Sequence, residues 1–325
     1  MKMNVATVSA ALLSGIASRG PDATGAAWYD AKEQAVKVTK IAVNVAAFLG
    51  ARKDILPQTT PVMLLHTRMA THGSTGDRLN NHPVRHENII GIHNGVLWND
   101  DEIFKTLKMV RNGEVDSEAI MALLARGKDP TKVLSKIGGD AAVAWIDLDD
   151  PDTLHIARVS DRPVHIAQTE EGSLVFASTK AATDAALKAG GLKAVYEVDM
   201  EEAKYMKVQG GVIAAYLDIP NVRKSYKWSQ KYAYTSGKAD EMWDKWDQKQ
   251  VAKRTPQSQA SEDALFLEAT KARTARQKEM DKYYVILTPD LVDLAMEGDA
   301  KAVSELHARG YNAKGEMVAV TASRR

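Results

Sequence analysis

Short apolar runs separated by turn-forming residues dominate the first two thirds of the chain, and their period predicts strands. Val62 to Leu65, Ile89 to Ile92, Ala141 to Ile146, Leu154 to Ala157, Leu174 to Ala177 and Val212 to Leu217 are strand candidates of this kind. Helical periods sit between some of them. Asn99 followed three residues later by Glu102 resembles a capping box, and Ile103, Leu107 and Val110 then recur at helical spacing. Ser117 opens a second helix through Ile120, Leu123 and Leu124. From Ala141 to Ala177 the turns are too short for crossover helices, which predicts an antiparallel meander. Helices before and after, with sheets between, predict a layered α+β sandwich.

The pattern changes near residue 220, dividing the chain into an α/β unit at 1–220 and a charged, aromatic-containing helical extension at 221–325. Tyr226, Trp228, Tyr232, Tyr234, Trp243 and Trp246 are interleaved with Lys224, Lys227, Lys231 and Lys238. Such a segment can stack on single-stranded nucleic acid, but packing onto the main domain is the simpler expectation. Residues 251–262 read as a polar linker. A last helical pair follows, Pro289 to Ala295 and Ala302 to Ala308, with a turn at Gly298 and Asp299. It resembles one ankyrin-type unit, and a lone unit of that kind is expected to dock on the rest of the chain.

Composition narrows the function. The chain has 325 residues, 45% hydrophobic and 26% charged, with a formal net charge of +1, so polyanion binding through bulk charge is not expected. No apolar run approaches the roughly 18 residues of a membrane span, and the start of the sequence lacks a signal-peptide pattern, so a cytoplasmic protein is expected. The count of cysteines is 0, which excludes disulfides, thiolate metal sites and a cysteine nucleophile in this sequence.

Five of the eight histidines, His66, His72, His82, His86 and His93, fall within 28 residues. A metal site is disfavoured because Pro83 lies between His82 and His86, which breaks a shared helix face. Another grouping accounts for more residues. A strand runs into His66-Thr67-Arg68-Met69-Ala70-Thr71-His72-Gly73; Asn80-Asn81-His82-Pro83 follows; the next strand ends in His93-Asn94-Gly95. Upstream lies Arg19-Gly20-Pro21-Asp22, and downstream Asp116-Ser117-Glu118.

These motifs, in order and spacing, resemble the glutaminase domain of class II glutamine amidotransferases, which are N-terminal nucleophile (Ntn) hydrolases. The resemblance covers roughly the first 200 residues. It implies a four-layer αββα sandwich, L-glutamine as substrate and no cofactor or metal. It implies that Arg68 binds the substrate carboxylate and Asp116 its α-ammonium, and that Thr71, His72 and His82 shape the pocket. Asn94, through its side-chain amide, and Gly95, through its backbone N–H, would form an oxyanion hole, with Arg19 close to the nucleophile. Taken alone, Arg68 reads as a structural ion pair, Asp116 as a helix cap, and Asn-Gly as a tight hairpin turn. Met69 stands where the family usually has tryptophan.

The family's nucleophile is an amino-terminal cysteine. Aligning the helix Ala10 to Ile16 and the Arg19-Gly20-Pro21-Asp22 loop with the family places that cysteine, and the strand bearing it, upstream of Met1. Three explanations stand at this point: a native start further upstream, a pseudoenzyme that kept the glutamine pocket, or a different nucleophile such as Thr7 or Ser9. The sequence shows no acceptor module such as a Walker loop or a phosphoribosyltransferase domain, so an acceptor or synthetase subunit is expected on a separate chain.

Overall fold

The computed structural model describes residues 3–70, 73–220, 222, 284–286, 288–299, 301–303, 306 and 314. The aromatic segment from Tyr226 to Trp246 and the linker at 251–262 lie outside them. Among the described residues no helix is long and apolar enough to cross a membrane.

Four layers stack. The outer helices on one side are α1 (Val5–Ile16), α2 (Val45–Arg52) and α6 (Lys180–Gly190). Asparagines start the first two: the Asn4 side chain accepts from Thr7 N and that of Asn44 from Ala47 N, both at 3.0 Å. Beneath them lie two small sheets. One contains β1 (Ala23–Asp30), β2 (Ala35–Ile41) and β3 (Met63–Arg68), and the other contains β8 (His165–Thr169), β9 (Leu174–Ala177) and β10 (Ala194–Asp199). The third layer is a six-stranded sheet of β4 (Val84–His86), β5 (Ile89–Leu97), β6 (Gly139–Asp147), β7 (Asp150–Arg158), β11 (Lys204–Gln209) and β12 (Val212–Asp218). Its far face is covered by α3 (Asp100–Leu107), α4 (Ser117–Arg126) and α5 (Pro130–Leu134).

Alternation puts the cores where the layers meet. Val36 and Val38 of β2, Leu64 of β3, Ile146 of β6 and Ile156 of β7 fill the space between sheets. Trp145, between two of these positions on β6, points the other way, onto the helices, with His155 stacked 4.8 Å from its ring. The αββα class follows, as expected.

Three local expectations are corrected. The strands from Ala141 to Ala177 form two hairpins in different sheets, because the chain leaves β7 at Arg158 and crosses to the other layer before β8. Asn99 makes no side-chain cap on α3. Its amide instead bridges the chain near β6, accepting from Gly138 N at 2.8 Å and donating to Lys136 O at 2.9 Å. That helix ends at Leu107, with Lys108 in the left-handed region, so Val110 lies beyond it.

The extension also contributes a strand. β13 (Tyr284–Ile286) runs parallel to β2, and α7 (Thr288–Met296) follows it. Leu291 and Ala295 of α7 pack with Ala302 and Leu306.

Ile156 is 1% exposed between the sheets, whereas Val212 on edge strand β12 is 66% exposed. Ile156→Ala should cost about 2–5 kcal/mol of stability and Val212→Ala about 0.5 kcal/mol or less. Urea unfolding that gave the two variants equal losses would contradict this layer assignment.

Candidate active site

β3 ends in Arg68, which is buried at 4% exposure. Its Nη1 donates to Asn81 Oδ1 at 2.9 Å and its Nη2 to Gly73 O at 3.1 Å. Burial lowers its pKa, against the opposing pull of Asp22, Asp116 and Glu114. The Arg19-Gly20-Pro21-Asp22 loop is what holds this strand end. Asp22 N donates to Arg68 O at 3.0 Å, and Asp22 Oδ2 accepts from Ala70 N at 2.8 Å. A Cβ on Gly20 would lie 2.4 Å from the Arg68 carbonyl carbon, so only glycine permits that approach. Arg19 itself is exposed at the rim of the cavity.

β5 forms the facing wall. His93, Asn94 and Gly95 all lie inside this strand, paired with Val143, Ala142 and Ala141 of β6. The tight-turn reading of Asn-Gly is therefore overturned: the strand continues to Leu97. What the position requires of Gly95 is different. Its φ is +147°, and a Cβ there would lie 1.8 Å from Asp140 O.

Trp98 N donates to Gly138 O in register with this ladder. By antiparallel alternation the backbone groups of His93, Gly95 and Leu97 then turn away from β6. His66 Nε2 bonds His93 O at 3.1 Å, and Leu97 N donates to Asp116 Oδ2 at 2.7 Å. Gly95 N–H lies between them on the same edge. The Asn94 side-chain nitrogen is buried with no hydrogen-bond partner, a condition that calls for an acceptor from a ligand.

Asp116 precedes α4 but does not cap it with its side chain. Besides Leu97 N, it accepts from Ser117 Oγ at 3.3 Å, and Ser117 Oγ lies 2.9 Å from His93 Nδ1. Two accepted bonds leave a carboxylate with capacity for an ammonium group.

Arg19, His66, Arg68, His93, Asn94, Gly95, Asp116 and Ser117 line one cavity of about 650 Å³. Its polar end holds Arg68, Asp116, Asn94, His66, His82 and His93. The His66 and His82 rings lie 4.1 Å apart, and neither nitrogen of His82 has a partner. Burial pushes His66 down to about 4 and holds His82 well below the usual imidazole range; burial also lowers His93, against the pull of Asp116. The cluster is thus neutral near pH 7. Among the described residues no group of three His, Asp or Glu is arranged to hold a metal ion.

The rest of the cavity is largely apolar and runs between two strands at sheet edges. Among the described residues β3 pairs only with β1, and β9 only with β8, so each ends its sheet. Both line the cavity, with Val8 and Leu12 of α1 on one side and Ile92, Ala144 and Ile156 of the large sheet on the other. Met3, leading into α1, also lines it.

Comparison with known proteins gives this sequence and fold relatives. Residues 66–185 match the sequence profile of a family described as a glutamine amidotransferase domain. The chain carries a class II glutamine amidotransferase domain. Glutamine–fructose-6-phosphate aminotransferase of Buchnera aphidicola is 30% identical over 166 residues, covering 47% of this chain and 27% of that enzyme. The Shouchella clausii enzyme of the same name is 31% identical over 179 residues, covering 50% and 29%. The chain thus spans less than a third of these relatives. In fold, the Bacillus subtilis glutamine phosphoribosylpyrophosphate amidotransferase superposes with a TM-score of 0.56 at 18% identity, over 69% of this chain and 49% of that one.

In this amidotransferase domain the structure brings Arg19, Arg68, His82, Asn94, Gly95 and Asp116 to one cavity, while Thr71 and His72 lie outside the described residues. Sequence reasoning missed the supporting residues Asn81, Ser117 and Lys40. Lys40, on β2, donates to Asn81 O and Pro83 O, both at 2.8 Å, and burial lowers its pKa to about 7. The adjacent Asn80-Asn81 pair before His82 was the available signal, since such side chains tie loops to backbone.

Folded His66 refuses a proton until about pH 4, whereas the unfolded chain accepts one near 6.5. The unfolded state therefore binds more protons between these values, and stability falls as pH drops through the window. Thermal unfolding should show this decline, and His66→Gln should make it shallower, His82 and His93 still contributing. An identical slope in the variant would contradict the assignment.

Proposed function

We propose that the cavity binds L-glutamine and that the domain hydrolyses its side-chain amide to glutamate, releasing ammonia for an acceptor. The observation that carries this reading is the presence of Arg68 and Asp116 at one polar end of the cavity, next to the orphaned amide nitrogen of Asn94. An α-amino acid presents a carboxylate and an ammonium together. Arg68 offers a planar fork suited to the first, and Asp116 a carboxylate suited to the second. The side-chain amide then extends toward β5, where attack at its carbonyl carbon places negative charge on oxygen. Asn94 Nδ2 and Gly95 N–H are the donors we assign to that oxyanion.

Hydrolysis also needs a nucleophile, and none of the 325 residues is cysteine. We assign hydrolysis to a form in which a cysteine-bearing strand fills the slot between β3 and β9. Such a strand would pair with both free edges and end beside Arg19 and Asn94. In the chain as it stands the same pocket supports a second reading, glutamine binding without turnover, favoured by the absence of cysteine. Arg19 is placed near the nucleophile in the first reading, and His82 shapes the pocket in both.

Arg68→Ala should weaken glutamine binding by at least about thirtyfold in calorimetric titration, as expected for loss of a buried charge partner. Affinity unchanged in a folded Arg68→Ala or Arg68→Lys protein would overturn the pocket assignment. In a cysteine-bearing form, Asn94→Ala should lower turnover about a hundredfold or more with binding little changed. Equal turnover would remove Asn94 from the oxyanion hole.

A further inference from the structure

The residues that position Arg68 are themselves held from outside the region that matches the family. The segment from Gly73 to Pro83 forms an arch beside the polar end of the cavity, which its His82 lines, and supplies two partners of Arg68, Asn81 Oδ1 and Gly73 O. On one flank Glu114 fixes it: Asn80 Nδ2 donates to Glu114 Oε2 at 3.0 Å, and Glu114 N donates to Asn80 Oδ1 at 2.7 Å. On the other flank the tie comes from the C-terminal helix α7.

Asp290 of α7 is fully buried and accepts from Arg78 Nη2 at 2.9 Å and from Thr39 Oγ1 at 3.2 Å. Arg52 Nε lies 3.7 Å from the same carboxylate, and Arg52 Nη2 also pairs with Asp293. Arg78 sits between Asp77 and Asn80 in the short helical turn of the arch, two and three residues before the arch's contacts at Asn80 and Asn81. β2 joins the two halves. Thr39 holds Asp290, its neighbour Lys40 holds the Asn81 and Pro83 carbonyls, and β13 pairs with the same strand.

We propose that Arg78 and Asp290 form a clamp through which the C-terminal segment sets the position of the 73–83 arch, and thereby of Arg68, so that glutamine affinity depends on α7 being docked. Arg78 is a positioning residue acting through Asn80 and Asn81. The chemistry is asymmetric. Two arginines share two carboxylates, and removing the Asp290 charge leaves Arg52 and Arg78 close together with Asp293 alone to neutralise them. The arch then loses its outer tie, and a ligand must supply the ordering that the clamp had already provided. The segment beyond residue 220 thus contributes to the site without touching substrate. The effect on glutamine rests on the pocket reading above; the effect on the arch does not.

The test is amide hydrogen exchange across residues 73–83 of the full chain, with and without glutamine, in wild type, Asp290→Asn, Arg78→Gln and the double variant. Each single variant should speed exchange in the arch about tenfold or more, and the double variant should go no further than either, because the two residues act as one unit. Glutamine affinity should fall at least about fivefold in each, and saturating glutamine should restore part of the protection. Unchanged arch exchange in either folded single variant, or losses that multiply in the double, would overturn the clamp. If Asp290→Asn does not fold, Arg78→Gln carries the same test from the partly exposed side. A wild type that binds no glutamine would overturn the pocket reading, while the exchange result would still judge the clamp.

Discussion

A guanidinium at 4% exposure stays charged where hydrogen-bond acceptors and nearby carboxylates replace the water it has given up, and Arg68 imposes that demand on everything around it. Asn81 and Gly73 O receive two of its bonds, so the chain from Gly73 to Pro83 must arch over it. Asp22 and Gly20 fix the end of the strand from behind. Lys40 then holds the arch by its carbonyls, and Glu114 by Asn80. Each motif in this part of the sequence serves a place in that support before it serves any chemistry.

A second constraint lies in the same layer. Among the described residues β3 and β9 each end their sheet beside the cavity, under an apolar roof from α1 and over an apolar floor from the large sheet. Strand edges carry backbone donors and acceptors that favour pairing. A strand placed there would merge the two sheets into one and bring its end to Arg68, Asn94 and Gly95.

The residues gathered at the polar end were singled out in sequence through the resemblance their short motifs carry together; read alone, Arg68 and Asp116 have structural explanations. The layered class was legible from strand runs flanked by helical periods. Other features were hidden for physical reasons. Asn94-Gly95 carries a strong local turn signal, yet pairing along the whole of β6 overrides it. The change of sheet after Arg158 depends on which face packs where, which the uniform apolar runs from Ala141 to Ala177 do not encode. Asp290 is an ordinary first-turn acid in its own helix. Its importance comes from Thr39, 251 residues away in sequence, and from Arg78, and no local pattern links them.

Under the proposed function, the polar end of the cavity recognises both charged groups of an α-amino acid. A crystal structure of the protein with bound L-glutamine tests it most directly. The account predicts the α-carboxylate on the Arg68 guanidinium, the α-ammonium on Asp116 and the side-chain amide oxygen toward Asn94 and Gly95. Glutamine bound in the reverse sense, with its amide at Arg68, or bound elsewhere on the molecule, would contradict it.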